Sequence, residues 1–184
     1  MPVDIELFKG VAGSFPSGVA VVTNRGADGV PRGLTSNAIC PVSASPPLLL
    51  VCVDKRSQTL PSIRQARSFV VNFLAAGREE LSDQFASKDP DKLAGVTWEP
   101  SRVAAGAPIL VDDVVAVAEC AVTREIDAGD HWIFIASIEA GAVYERVPLM
   151  YYRRAYAAWP EPSLAAVGAA SPEAADWAFH CDFH

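Results

Sequence analysis

Short polar side chains crowd into one stretch of the chain, residues 32–47, which reads RGLTSNAICPVSASPP. Apolar runs precede and follow it, GVAVVT and LLLVCV. Because side chains alternate between the two faces of a strand, neither face of this stretch is purely apolar. Such a strand could hydrogen-bond a polar, planar ligand through its short side chains and backbone amides. The periodicity alone slightly favours the alternative, an edge strand whose hydroxyls face water.

Two further segments place cations beside hydroxyl groups. Residues 54–59, DKRSQT, come directly before a predicted helix, whose unpaired backbone N–H groups attract anions. Ser57 and Thr59 could therefore bind a phosphate, although helix capping alone explains both hydroxyls equally well. In the segment 85–92, FASKDPDK, Lys88 could reach an anion, but a cation that balances the C-terminus of a helix is the commoner arrangement.

A histidine stands at the turn between two predicted strands, in the sequence GDH at 129–131. Gly and Asp suit a hairpin turn, but a histidine at the start of the apolar strand WIFIAS is unusual. His131 could be a polar group in a cleft. A lone histidine at a strand end is more often a surface residue, and no nucleophile partner is evident beside it.

The formal net charge of −7 over 184 residues argues against a nucleic-acid partner, because phosphate backbones require a basic face. The same charge means that an anionic cofactor must be met by locally placed cations. The candidates are Arg32, Lys55, Arg56 and Lys88.

Composition also predicts the compartment. Long uncharged stretches such as 39–53 contain prolines and serines and are too polar for a membrane span. Acidic residues occupy the N-terminus, where a signal peptide would be basic. Four cysteines lie far apart without a CxxC pair, which favours free thiols. We therefore expect a cytoplasmic protein with no membrane partner.

Hydrophobic periodicity predicts a mainly β domain over residues 1–159. Phe8, Val11, Ala12 and Phe15 share one face of a helix over 4–15. Strands outnumber helices and short connections join them, which is typical of an antiparallel barrel with a few covering helices. The remaining strands are predicted at 18–24, 32–45, 48–53, 68–74, 114–125, 131–144 and 149–153, and the remaining helices at 57–67 and 78–86. An Ala/Pro-rich tail with an aromatic end, 160–184, follows the domain.

The order of these segments is more specific than any one of them, and in that order the sequence resembles the short-chain flavin reductase family. The members of this family are the reductase components of two-component flavin monooxygenases. The resemblance covers roughly residues 5–158. It is carried by FPSGVAVVT, GLTSNAICPVSASPPLLLVCVDKRSQT, FVVNFLAAGREELSDQFASKDPDKLAGVTWE, GAPIL, AECAV, GDHWIFIASI and PLMYYRRAY.

The resemblance implies a split β-barrel, a homodimer, a non-covalent FMN or FAD, NADH or NADPH as hydride donor, a partner oxygenase and no metal. The GLTSNA segment would lie along the flavin, the KRSQT and FASK segments near its ribityl phosphate, and the GDH segment beside the nicotinamide. His131 carries over as the catalytic residue. The residues implied to bind cofactor are Arg32, Leu34, Thr35, Ser36, Asn37, Ala38, Cys52, Lys55, Arg56, Ser57, Thr59, Phe85, Ser87, Lys88, Gly129, Asp130, His131 and Tyr152.

Hydride transfer between stacked rings depends on proximity and orientation more than on acid–base chemistry, so we expect His131 to position the nicotinamide. Trp132 differs from the smaller residue usual in the family and should point away from the face of His131. Two alternatives remain open, a flavin-retaining oxidase or oxygenase and a non-catalytic flavin-binding protein. In the tail, His180, Cys181 and His184 could bind a metal, but disorder of the tail, or docking of Trp177 and Phe179 onto the dimer, is favoured.

Overall fold

The structure of the protein, a computed structural model, describes residues 2–159. The predicted tail, with its candidate metal ligands His180, Cys181 and His184, lies outside the described residues. The helices are α1 (Ile5–Gly13), α2 (Leu60–Ala66) and α3 (Glu79–Ala86). The strands are β1 (Ser17–Gly18), β2 (Ala20–Arg25), β3 (Pro31–Ser36), β4 (Ile39–Ala44), β5 (Pro47–Asp54), β6 (Ser68–Leu74), β7 (Glu99–Pro100), β8 (Pro108–Ile109), β9 (Val114–Ala128), β10 (His131–Val143), β11 (Leu149–Tyr152) and β12 (Ala155–Ala158).

Seven strands form one antiparallel sheet in the order β3-β2-β6-β9-β10-β5-β4. Its two outermost strands, β3 and β4, are consecutive in the chain, and only Asn37 and Ala38 join them. A flat sheet of this width would hold its edges about 29 Å apart, at about 4.8 Å per strand spacing. A two-residue connection reaches only about 11 Å. The sheet must therefore curl until its edges meet, which makes it barrel-like.

The curled sheet does not close completely. In residues 2–159, β3 is hydrogen-bonded only to β2, and β4 only to β5. The backbone N–H of Cys52 donates to the carbonyl of Ala38 at 2.9 Å, which fixes the crossover against β5. Half of the backbone polar groups of β3 consequently face an open seam between the two edges.

Both faces of the central strands are buried, which explains the continuous apolar run in β2. Val22 and Phe134 belong to a core cluster inside the curled sheet, which Ile63 of α2 covers at one end. Val21 belongs to a second cluster on the outer face, together with Phe85 of α3. Both covering helices therefore pack against β2, and α3 also packs against β3 at the edge of the seam.

The predicted mainly β fold with a few covering helices is confirmed, and β6 has the predicted bounds. The predicted strand over 32–45 divides instead into β3 and β4, because the chain crosses the seam at Asn37. The helix predicted over 57–67 begins at Leu60. Three further strands, β7, β8 and β12, were not expected from the sequence. No helix in residues 2–159 is long and apolar enough to cross a membrane.

One buried side chain joins β2 and β6 to the residue that follows β8. Asn72 on β6 donates from Nδ2 to the Val21 carbonyl at 3.2 Å and to Thr23 Oγ1 at 3.0 Å, and its Oδ1 accepts from the Leu110 backbone N–H at 2.9 Å. Asn24 is equally buried, but its Nδ2 has no partner among the described residues. Asn72 and Asn24 can therefore be compared directly, because both are buried but, among the described residues, only Nδ2 of Asn72 has hydrogen-bond partners.

We expect Asn72→Ala to lower the free energy of unfolding by about 3 kcal/mol, because it leaves buried partners unsatisfied and creates a cavity. Asn24→Ala creates a similar cavity but removes an unsatisfied donor, and should cost about half as much. Urea unfolding followed by tryptophan fluorescence measures both values. Equal losses would show that the hydrogen bonds of Asn72 do not contribute.

Candidate functional site

A cavity of about 650 Å³ opens at the seam of the sheet. Five segments of the chain supply its walls, namely β3 with the crossover, β5, the loop after β5, the end of α3 with the residues that follow, and the first residue of β10. The lining residues are Leu34, Thr35, Ser36, Asn37, Ala38, Cys52, Asp54, Arg56, Ser57, Gln58, Phe85, Ala86, Ser87, Lys88, Lys92 and His131.

Some hydroxyl groups of β3 form hydrogen bonds within the protein. Thr35 Oγ1 donates to the carbonyl of Ser82 on α3 at 2.5 Å, and Ser36 Oγ accepts from the backbone N–H of Ala38 at 3.2 Å. Asn37 and Ala38 themselves are exposed. The polar stretch therefore has two uses here. Its hydroxyls hold the edge strand and the crossover in place, while the free backbone edge faces the cavity.

A close contact between Gly33 and Phe85 holds α3 against β3 beside the cavity. A Cβ atom on Gly33 would lie 2.5 Å from Cε1 and 2.7 Å from Cδ1 of Phe85, whose ring is fully buried. Thr59 Oγ1 donates to the carbonyl of Gly33 at 3.1 Å. Only glycine lets α3 approach β3 closely enough to place Ser87 and Lys88 at the cavity.

Cations gather at one end of the cavity. Arg56 is exposed and pairs with Asp54 through two bonds of 3.1 and 2.8 Å, and this hydrogen bonding lowers the pKa of Asp54. Lys92 is half-buried and donates from Nζ to the carbonyl of Phe85 at 2.8 Å. Burial lowers the pKa of Lys92. Among residues 2–159, neither Lys88 nor Lys92 forms a salt bridge, and an anion at this end would therefore be stabilised.

The turn before β10 orients the histidine of the site. His131 Nδ1 lies 2.7 Å from Asp130 Oδ1, and this hydrogen bond lowers the pKa of Asp130. An ionised carboxylate can only accept, so Nδ1 carries the proton. In the neutral ring Nε2 is then the free acceptor. The backbone N–H of Lys55 donates to the carbonyl of Asp130 at 3.0 Å, which joins this turn to the cation-bearing loop.

Six of the residues implied to bind cofactor do not line this cavity. Lys55 is drawn away from it by Asp127, at 2.6 Å, and by the ring of Trp132, whose centroid lies 5.4 Å from Nζ. Gly129, with φ +68°, and Asp130 shape the turn instead. Tyr152 is on β11, in a separate sheet, with Arg153 over its ring. Arg32 and Thr59 line a second cavity beside the first.

Trp132 lies outside the cavity, on the face opposite His131, as the strand alternation predicts. The guanidinium of Arg64 stacks 4.0 Å from the centre of its ring. The sequence reasoning missed Asp54, Gln58, Ala86 and Lys92 as lining residues. All four directly flank or fall inside the segments that were singled out, so proximity in sequence was the available signal.

Residues 12–160 match the family described as "Flavin reductase like domain". The chain belongs to this family. The flavin reductase (NADH) of Kitasatospora aureofaciens is 46% identical over 170 residues, which cover 90% of this chain and 88% of that relative. The reductase subunit HsaB of a flavin-dependent monooxygenase from Rhodococcus jostii is 34% identical and covers 84% of this chain and 77% of its own length.

Solved structures agree with the family assignment. The NADH:FAD oxidoreductase SgcE6 of Streptomyces globisporus, in complex with NAD and FAD fragments, superposes with a TM-score of 0.80 at 32% identity. The match covers 88% of this chain and 98% of that one. The resemblance to the flavin reductase family and the predicted fold class are thereby confirmed.

The contact between Gly33 and Phe85 can be tested by a double-mutant cycle. We expect Gly33→Ala to lower the free energy of unfolding by about 1–3 kcal/mol, because the new methyl group overlaps a ring that cannot leave the core. In a Phe85→Leu background the added methyl has room, and the cost of Gly33→Ala should fall markedly. Urea unfolding of the four proteins provides the comparison, and the same penalty in both backgrounds would contradict the contact.

Proposed function

We propose that the chain is an NAD(P)H:flavin oxidoreductase that reduces FMN or FAD and supplies the reduced flavin to a partner oxygenase. The observation that carries the proposal is the seam cavity, where the polar backbone edge of β3, an unpaired cationic end and His131 meet. Relatives named as flavin reductases and as a monooxygenase reductase subunit support the same activity. The predicted enzyme class is confirmed by these relatives.

The residues of the cavity fit a flavin nucleotide. Its volume lies within the range of small-molecule sites. The backbone groups of residues 34–37 that face the open seam suit the polar edge of the ring system, and the half-buried Lys92, with Ser57 and Lys88, suits the phosphate. Net charge alone would repel the ligand, so these local cations are what make binding possible.

Hydride transfer requires little of the protein beyond binding and orienting the two ligands. When bound, the flavin supplies the ring that accepts a hydride from NAD(P)H. The residues of β3 and the crossover hold one side of the cavity, and His131 stands at its mouth with Nε2 available to a polar group of the nicotinamide. Positioning of this kind can supply a large part of a rate enhancement without a general acid or base.

The cavity suits a flavin that is bound without a covalent bond and then released. Cys52 is the cysteine that lines it, and burial raises the pKa of this thiol, which keeps it protonated and poorly nucleophilic. Asn37, Ala38, Ser87 and Lys88 at the rim are all exposed. We infer that reduced flavin leaves through this open rim.

The activity is tested by mixing the purified full-length chain with NADH or NADPH and with free FMN or FAD. We expect rapid loss of nicotinamide absorbance, with many flavin molecules reduced per protein molecule. Slow turnover with a tightly retained flavin would favour a flavin-retaining oxidase or oxygenase instead. Absence of turnover with every pair of substrates would contradict the proposal.

His131→Ala separates nicotinamide positioning from flavin binding. We expect the KM for NADH to rise about fivefold, the effect of losing roughly one hydrogen bond, while the dissociation constant of oxidised flavin changes less than twofold. Asp130→Asn should have a smaller effect in the same direction, because it weakens only the orientation of the ring. Unchanged NADH kinetics in His131→Ala would remove His131 from the site.

We further propose that the chain forms the homodimer that its family resemblance implies. The amphipathic helix α1 has no buried residue, and its apolar side chains lie in the open. Phe8 is 57% exposed and Val11 67% exposed, and Phe15 lines an apolar groove that reaches Asn37 at the edge of the cavity. A second copy of the chain would cover this apolar surface next to the site.

Light scattering should give a mass about twice the 19.6 kDa of the chain. Phe8→Asp should shift the protein to the monomer, because a carboxylate cannot be buried in an apolar interface without a partner. Val103→Asp is the matched control, since Val103 is 52% exposed and lies in the loop between β7 and β8. A wild-type monomer, or two variants with the same mass, would contradict the dimer.

We also propose the limits of the domain and the compartment of the protein. We propose that residues 1–159 form the catalytic domain and that residues 160–184 are a separate tail. Cys40, Cys52 and Cys120 are free thiols in the described part of the chain. Free thiols favour the reducing cytoplasm as the compartment.

A further inference from the structure

A tyrosine on the last described strand is hydrogen-bonded to the helix that borders the seam cavity. Tyr156 lies on β12, and its hydroxyl oxygen lies 2.7 Å from Asp83 Oδ1 and 3.1 Å from Ser82 Oγ. Both partners belong to α3, more than seventy residues earlier in the chain. Tyr156 does not line the seam cavity. It therefore joins the small sheet of β1, β11 and β12 to a wall of the site without reaching the site itself.

The direction of these two hydrogen bonds follows from the protons that are available. A carboxylate only accepts, so the single hydroxyl proton of Tyr156 is donated to Asp83. Ser82 Oγ must then donate to the phenolic oxygen of Tyr156. Burial raises the pKa of Tyr156, which keeps its proton in place near neutral pH. Because Ser82 is fully buried, removal of the phenolic oxygen would leave its hydroxyl without this partner.

Helix α3 depends on tertiary contacts for its position. It has eight residues, and no side chain caps its N-terminus. A helix this short is not stable by itself, so contacts with other elements must hold it. On one side, the carbonyl of Ser82 accepts from Thr35 Oγ1 on β3 at 2.5 Å. On the other, the hydroxyl of Ser82 and the carboxylate of Asp83 are bonded to Tyr156, so the helix is held between β3 and β12.

The C-terminal end of α3 places the groups at the cationic end of the cavity. Ser87 and Lys88 follow the helix directly and line the cavity. Lys92 depends on the same helix end, because its Nζ donates to the carbonyl of Phe85 at 2.8 Å. The bonds to Tyr156 are made about one helical turn before this end. A shift of α3 would therefore move both lysines at once.

We propose that Tyr156 is a positioning residue for flavin binding, which acts through Ser82 and Asp83 to hold Lys88 and Lys92 at the flavin phosphate. The inference rests on the proposed function, because that function places the phosphate at this end of the cavity. Tyr156 touches neither ligand. The wall that faces the flavin ring does not depend on it, because the ladder with β2 holds β3 in place. Loss of the phenolic oxygen should therefore weaken recognition of the phosphate and spare recognition of the ring.

FMN and riboflavin separate the two parts of the ligand, because riboflavin has the same ring and ribityl chain without the phosphate. The dissociation constants of both oxidised flavins are measured by fluorescence on the flavin-free full-length chain and on Tyr156→Phe. Tyr151→Phe is the matched control, since Tyr151 pairs with Tyr156 across β11 and β12 and their ring centroids lie 5.2 Å apart. Of these two hydroxyls, the one bonded to α3 is that of Tyr156.

We expect Tyr156→Phe to raise the dissociation constant of FMN about fivefold, the effect of losing roughly one hydrogen bond, and that of riboflavin less than twofold. Tyr151→Phe should change neither value by more than twofold. Ser82→Ala removes one of the same bonds and should reproduce part of the effect. In that background Tyr156→Phe should add less than it does in the wild type, because the two residues act through one contact.

Equal weakening of FMN and riboflavin in Tyr156→Phe would overturn the proposal, because a general loss of structure affects both flavins. An unchanged FMN affinity, or the same change in Tyr151→Phe, would also overturn it. Urea unfolding shows whether each variant is folded. If Tyr156→Phe does not fold, Ser82→Ala and Asp83→Asn test the same bonds from the side of the helix, with the same expected selectivity for FMN.

Turnover of FMN by NADH is measured in the same samples. A protein that reduces FMN but shows no selective loss in Tyr156→Phe retains the proposed function and loses only this inference. A wild-type protein that reduces no flavin loses the proposed function, while the ratio of the FMN and riboflavin affinities still decides the role of Tyr156.

Discussion

The two-residue crossover between β3 and β4 is the constraint on which the rest of the structure depends. Asn37 and Ala38 join strands that occupy opposite edges of a seven-stranded sheet, so the sheet has to curl. The crossover also prevents full closure, because the chain passes through the place where the two edge strands would otherwise pair. An open seam with free backbone groups is the direct consequence, and that seam is the site.

The surrounding elements convert the seam into a binding cavity. The contact of Phe85 with Gly33 brings the end of α3 beside the seam and so supplies Lys88 and the half-buried Lys92. The ladder between β5 and β10 pairs Asp54 with His131 and places the histidine at the same opening. These side chains do not need unusual reactivity, because the proposed reaction depends on holding two ligands together in the right orientation.

The sequence predicted the parts of this arrangement that depend on local pattern. The apolar run of β6 and the polar stretch at the seam were both evident from periodicity and composition. The direction in which individual side chains point was not evident from the sequence. Lys55 looks as suitable for a phosphate as Lys92, but Asp127 and Trp132, more than seventy residues away, draw it off the cavity. The strand β12 carries little pattern of its own and exists through its pairing with β11.

The most direct test of the account is a crystal structure of the full chain grown with oxidised flavin. The account predicts that the ring lies in the seam cavity, against residues 34–37 and the side chain of Cys52, with the adjoining phosphate at Lys92. A flavin bound elsewhere on the molecule, with the seam filled by the protein's own side chains, would contradict it.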